Sequence, residues 1–130
     1  MKQILFIDDN QPFRISFSRI LEKEGYEIEQ AEDGRIGLRK FKENPPDLVI
    51  CDLIMPDVEG LETMRGIHEM DGNMKILAIS GGGRVNALDY LKIAQMMGAV
   101  VTLAKPFTSE ELIGAVEKLI GPAGESGTAG

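Results

Sequence analysis

The chain is poor in the residues that staple, anchor or clamp. It has one cysteine, one histidine, few aromatics, no long apolar run and no block of basic residues. A lone Cys51 has no intramolecular partner, so a disulfide framework is excluded and the expected setting is a reducing, cytoplasmic one. The apolar runs ILFI, LVIC and ILAI are four residues each, far short of the roughly 20 needed for a membrane helix. The opening MKQILFIDD meets an acid pair too early for a secretory leader. Net charge is −7, which argues against direct nucleic-acid binding because phosphate neutralisation dominates that affinity. What the chain does have is 130 residues with 43% hydrophobic content. That suits one domain burying roughly two-thirds of its unfolded surface.

Short apolar runs alternate with amphipathic stretches. Residues 4–7, 48–51 and 76–79 are continuously apolar, as expected of parallel strands buried on both faces. Residues 26–31 alternate and suit an edge strand, and 99–103 supply a fifth. Phe13, Phe17, Ile20 and Leu21 recur at helical spacing, as do Leu112, Ala115, Val116 and Leu119. Thr108 and Glu111 read as a capping box opening that last helix. Leu38 with Phe41, then Leu61, Met64 and Ile67, then residues 87–97, mark three more helices. Five strand–helix alternations define an α/β fold with a parallel sheet. Residues 1–120 form the expected domain. The glycine-rich GPAGESGTAG at 121–130 reads as a flexible tail or truncated linker.

Ligands of parallel α/β sheets bind at the carboxyl ends of the strands. Strand one ends at Asp8-Asp9, strand three at Asp52, strand four at Ser80 and strand five at Lys105-Pro106. One aspartate at a strand end is ordinary, but three carboxylates, a hydroxyl and an ammonium on one sheet edge are not. Carboxylates that face one another repel, and a divalent cation offsets the repulsion. The all-oxygen donor set suits magnesium, or manganese, over zinc. A carboxylate in such a setting can attack a phosphoryl group and form an aspartyl phosphate. Asp52, on the central strand, is the best nucleophile candidate.

These motifs, ILFIDDN at 4–10, DLVICDLIMPDVEG at 47–60, LAISGGG at 77–83 and LAKPF at 103–107, resemble the receiver domain of two-component response regulators. The likeness spans roughly residues 2–120. It implies a five-stranded parallel sheet of order 2-1-3-4-5, in a three-layer, flavodoxin-like sandwich with five helices. It implies Asp52 as phosphoacceptor, Asp9 as a direct magnesium ligand, Asp8 as one acting through water, and the Ile54 backbone carbonyl as a further ligand. It places the Ser80 hydroxyl toward the phosphoryl group, with Gly81 the small residue beside it, and pairs Lys105 with the phosphate. The Lys105–Pro106 bond becomes a candidate for the cis state. The implied partners are a sensor histidine kinase or histidine phosphotransfer protein, a downstream protein target and, on phosphorylation, a second copy. Nucleic acid and membrane are not expected partners. The implied role is a stand-alone switch that catalyses only its own phosphorylation and dephosphorylation.

Three positions depart from the family pattern. Thr102 stands where an aromatic often precedes the lysine by three residues, implying output through strand and helix displacement alone. The stretch between Ser80 and Lys105 is longer than usual and begins with three glycines, more a mobile connection than an anion loop. Ile54 is apolar where some members carry a polar group. Other readings fit less well. An aspartate-nucleophile phosphohydrolase wants an acid two residues after Asp52, where Ile54 stands. A flavodoxin-like cofactor binder wants a phosphate loop where Asp8 and Asp9 would repel phosphate. A receiver that is never phosphorylated has no need of all five polar positions. His68 reads as a boundary residue, and Cys51 as a packing thiol facing away from Asp52.

Overall fold

The computed structural model of the chain describes residues 1–53, 59–80 and 101–123. Five strands, β1 (Gln3–Ile7), β2 (Glu27–Ala31), β3 (Leu48–Asp52), β4 (Ile76–Ser80) and β5 (Val101–Ala104), form one parallel sheet of order β2-β1-β3-β4-β5. Four helices are described: α1 (Gln11–Lys23), α2 (Gly34–Glu43), α3 (Glu59–Met70) and α4 (Ser109–Ile120). The helix expected over 87–97, the first two residues of the expected 99–103 strand and residues 124–130 of the expected tail lie outside the described residues. The last strand runs to Ala104, one residue beyond the expected end at Leu103.

Burial follows the sequence pattern. Every residue of β3 is buried, as are four of the five in β1, because both faces of the central strands are covered by helices. At the edge, β2 alternates between exposed and covered positions. Strand alternation sorts the core into two layers. Leu5, Ile7, Val49, Cys51, Ile76 and Ala78 pack with Phe41 of α2 and with Met64 and Ile67 of α3. Ile4, Phe6, Leu48, Ile50, Leu77 and Ile79 pack with Leu21 of α1 and with Leu112, Val116 and Leu119 of α4. Asp8 and Asp52 share the parity of this second layer, whereas Cys51 belongs to the first, as the alternation requires.

Helix entries are capped by side chains that accept otherwise orphaned amide donors. Asn10 caps α1 through the Phe13 amide and Asp33 caps α2 through the Ile36 amide. The Thr108–Glu111 capping box is formed in both directions. At the far end of α4, Lys2 Nζ donates to the Ile120 carbonyl (2.5 Å), Lys75 Nζ to Leu119 (2.7 Å) and Tyr26 Oη to Gly121 (2.7 Å). Two ammonium groups at a helix C-terminus also favour its dipole. The last helix is thereby tied to the amino ends of β1, β2 and β4, and the opposite sheet edge is left for the polar cluster. Gly25 makes the turn from α1 into β2 at φ +106, a conformation L side chains rarely adopt.

Candidate functional site

The carboxyl ends of β1 and β3 are neighbours because Ile7 pairs with Cys51 in register, so Asp8 and Asp52 emerge side by side. Asp8, Asp9 and Asp52 each offer a carboxylate oxygen within 4.8 Å of the others. Asp8 is fully buried and Asp52 is 3% exposed, whereas Asp9 faces solvent. Lys105, directly after β5, brings its Nζ to 3.4 Å from Asp8 Oδ2 and 3.3 Å from Asp52 Oδ2. The bond from Lys105 to Pro106 is cis. Four sequence-predicted residues therefore meet in one pocket. Ser80 ends β4, where its backbone pairs with Ala104, one step beyond the Asp52–Ile79 pair. Its side chain lies outside the described residues, as does Ile54 entirely.

Electrostatics sets the character of the pocket. Burial pushes the Asp8 carboxyl up to about 7, and the neighbouring Asp52 charge pushes in the same direction. The Asn10 amide, donating to Asp8 Oδ1 at 2.9 Å, and the Lys105 ammonium oppose that rise without cancelling it. Three carboxyl groups gather around one ammonium, two of them in a poorly solvated space. The donors are all oxygen, and two of them are buried, so the residues present fit a hard divalent cation such as Mg2+ or Mn2+. Chemically, such an arrangement can present a carboxylate oxygen to an electrophile, with a cation beside it to meet the oxygens of an incoming anion.

Several supporting residues escaped the sequence reading. Arg14, on α1 and only 7% exposed, donates from Nη1 to the Asp8 carbonyl (2.6 Å) and from Nε to Gln30 Oε1 (2.9 Å). Arg14 is thus a second cation beside the site. Arg14 reads as an ordinary helix-surface charge in sequence, since its partners are a backbone atom and a residue of another strand. Gly60 lets α3 lie against the end of β3. A Cβ there would stand 2.6 Å from Leu53 Cα and against the Asp52 carbonyl. Its signal in the sequence was its place at the end of the DLVICDLIMPDVEG motif, to which no packing role was attached. Phe13, in the first turn of α1, places its ring centroid 3.9 Å from Lys105 Nζ. His68 is half-buried, with its Nε2 3.2 Å from the Met74 carbonyl oxygen.

Comparison with known proteins gives one answer by three routes. The family model for the response regulator receiver domain matches residues 4–117. Sporulation initiation phosphotransferase F of Bacillus subtilis is 31% identical over 92% of this chain and 94% of its own. Chemotaxis protein CheY of Thermotoga maritima is 32% identical over 91% of this chain and 97% of its own. Among solved structures, a response regulator receiver domain protein from Clostridium thermocellum superposes with a TM-score of 0.84 at 33% identity, covering 92% of this chain and 94% of that one. Vibrio cholerae chemotaxis protein CheY4 gives a TM-score of 0.82 at 28% identity, over 92% and 98%. Sequence and fold agree over nine-tenths of its length, and the chain belongs to the receiver domains of two-component response regulators.

Proposed function

We propose that this receiver domain is switched by transfer of a phosphoryl group from a phosphohistidine to Asp52. The observation that carries the reading is a buried carboxylate ending the central strand, flanked by two further acids and held 3.3 Å from Lys105 Nζ. An Asp52 oxygen attacks phosphorus, the new O–P bond forms as the N–P bond breaks, and the departing imidazole takes up a proton. Lys105, already at the nucleophile, follows the phosphoryl oxygens and pairs with them. The Ser80 hydroxyl turns toward the same group. Asp9 would hold Mg2+ directly, Asp8 through water and Ile54 through its carbonyl. When bound, the ion supplies charge neutralisation for the phosphoryl oxygens and for the acid cluster itself.

Receiver domains act as signalling switches together with histidine kinases or phosphotransfer proteins and downstream targets. For this chain the reading is that residues 1–120 form the switching unit. Phosphorylation biases a pre-existing equilibrium toward a surface that includes β5 and α4, where a protein target, or a second copy of the chain, binds. No helix among the described residues is long and apolar enough to cross a membrane. We place the domain in the cytoplasm, beside its phosphodonor.

Intact-mass measurement after incubation with a small phosphodonor and Mg2+ tests the assignment. Wild type gains one phosphoryl group and Asp52→Asn gains none. An adduct that survives the substitution would remove Asp52 from the role. Rapid multiple turnover of phosphate esters would move the domain to the hydrolases.

A further inference from the structure

Lys105 is held by more than its two carboxylates. Its Nζ lies 3.9 Å from the centroid of the Phe13 ring, whose π face attracts a cation. That ring is itself packed in place. Phe6 meets it edge-on at 6.4 Å, Phe17 at 4.7 Å and Phe107 edge-on at 5.6 Å, with Phe17 and Phe107 5.1 Å apart. Phe107 follows Lys105 by two residues across the Pro106 turn, so one ring touches both the ammonium and the turn that carries it. The Phe13 amide is fixed as well, by the Asn10 cap.

A lysine side chain has four rotatable bonds and a compact charge that water solvates strongly. Two carboxylates alone define a line of attraction, along which the ammonium can slide or leave for solvent. A ring on a third side closes that freedom and excludes water from one flank. We propose that Phe13 is a positioning residue for Lys105, its ring holding the ammonium against Asp8 and Asp52 where the phosphoryl group is to arrive. This inference rests on Asp52 being the phosphoacceptor, but the contact has a second consequence that does not. The ammonium occupies Oδ2 of both Asp8 and Asp52, so a lysine held there competes with a divalent cation for the same carboxylates.

The two consequences have opposite signs in Phe13→Leu, which removes the ring face while keeping an apolar side chain. Phosphorylation of Asp52 by a small phosphodonor slows by roughly 2- to 30-fold, the range spanned by measured cation–π contacts. Mg2+ binding, measured by calorimetry without phosphodonor, tightens toward the value of Lys105→Met. Phe13→Trp keeps a π face and restores both quantities, and in a Lys105→Met background Phe13→Leu changes neither. Phe13→Met supplies the same comparison if the leucine variant fails to fold. An unchanged rate and affinity in Phe13→Leu overturns the proposal, as does an equal loss of rate in the Lys105→Met background. Weaker Mg2+ binding in Phe13→Leu overturns it too, because that is what general loosening of the pocket produces. If wild type takes no phosphoryl group on Asp52, the phosphoacceptor reading fails, while the Mg2+ measurements still decide whether Phe13 acts through Lys105.

Discussion

Replacing Asp8 by asparagine is expected to stabilise the metal-free protein at neutral pH. Asp8 is fully buried, and its carboxyl is raised from 3.8 to about 7 by burial first and by the Asp52 charge second. The folded protein therefore holds the Asp8 proton more tightly than the unfolded chain does. The stability this contributes is complete below 3.8, and it is lost as pH rises through about 7. Over about three pH units at about 1.36 kcal/mol each, the loss is at most about 4 kcal/mol. The Asn10 amide can still donate to an asparagine oxygen, so the local turn survives the change. Urea denaturation in EDTA at pH 5, 6, 7 and 8 measures the effect. The gap between Asp8→Asn and wild type should widen with pH, reaching about 1–4 kcal/mol at pH 8. Saturating Mg2+ should close it from the wild-type side, since an ion that binds only the folded carboxylates adds stability by mass action. A pH-independent gap, or a variant less stable than wild type at pH 8, would refute the claim that Asp8 is a strained charge.

Three further outcomes follow from named contacts. Gly60→Ala sets a methyl against the backbone of Asp52 and Leu53, atoms that move only with their strand. A loss of about 1–3 kcal/mol in urea denaturation is expected, with slower phosphorylation of Asp52, and unchanged stability would mean that α3 is free to lift. Tyr26 is pushed up to about 12, by burial first and then by the charges of Glu117 and Glu24. Its stabilising contribution is present below 10.0 and fades as pH climbs through about 12. Absorbance titration should show a late phenolate step that vanishes in Tyr26→Phe, a variant that also loses about 1 kcal/mol with the bond to the Gly121 carbonyl. The Ser18 hydroxyl is buried and has no hydrogen-bond partner among the described residues. Thermal unfolding of Ser18→Ala should rise by an amount worth about 1 kcal/mol, and a clear fall would show that the hydroxyl has a hidden partner.

The fold was legible because its signals are local. Four-residue apolar runs mark strands covered on both faces, alternation marks β2 as an edge, and the Thr108–Glu111 pair announces the entry to α4. The acids were legible for the same reason, since each follows a run that could only be a strand. Strand order was not contained in those runs. It came from resemblance to a family, and the parallel pairing of β1 with β3 bears it out. The end of β5 was misread by one residue because its half-covered residues carry a weaker apolar signal than the central strands.

By itself, then, the sequence determined the alternation of strand and helix, the two-faced burial of the central strands, and the identity of the charged residues at their carboxyl ends. Three of the chain's 21 acidic residues, Asp8, Asp9 and Asp52, already stood at those ends. Only the tertiary structure decided how those charges are solvated and what holds them. Burial is a property of neighbours distant in the chain, so the raised Asp8 carboxyl could not be read from the Asp8-Asp9 pair alone. Arg14 meets the Asp8 carbonyl because α1 folds back over β1, and Gly60 meets Asp52 because α3 crosses the end of β3. Phe13 meets Lys105 across more than two-thirds of the sequence. Local pattern specifies which residues form an element and which face they show. Distances of a few ångströms between elements arise only when the whole sheet and both helical layers pack together.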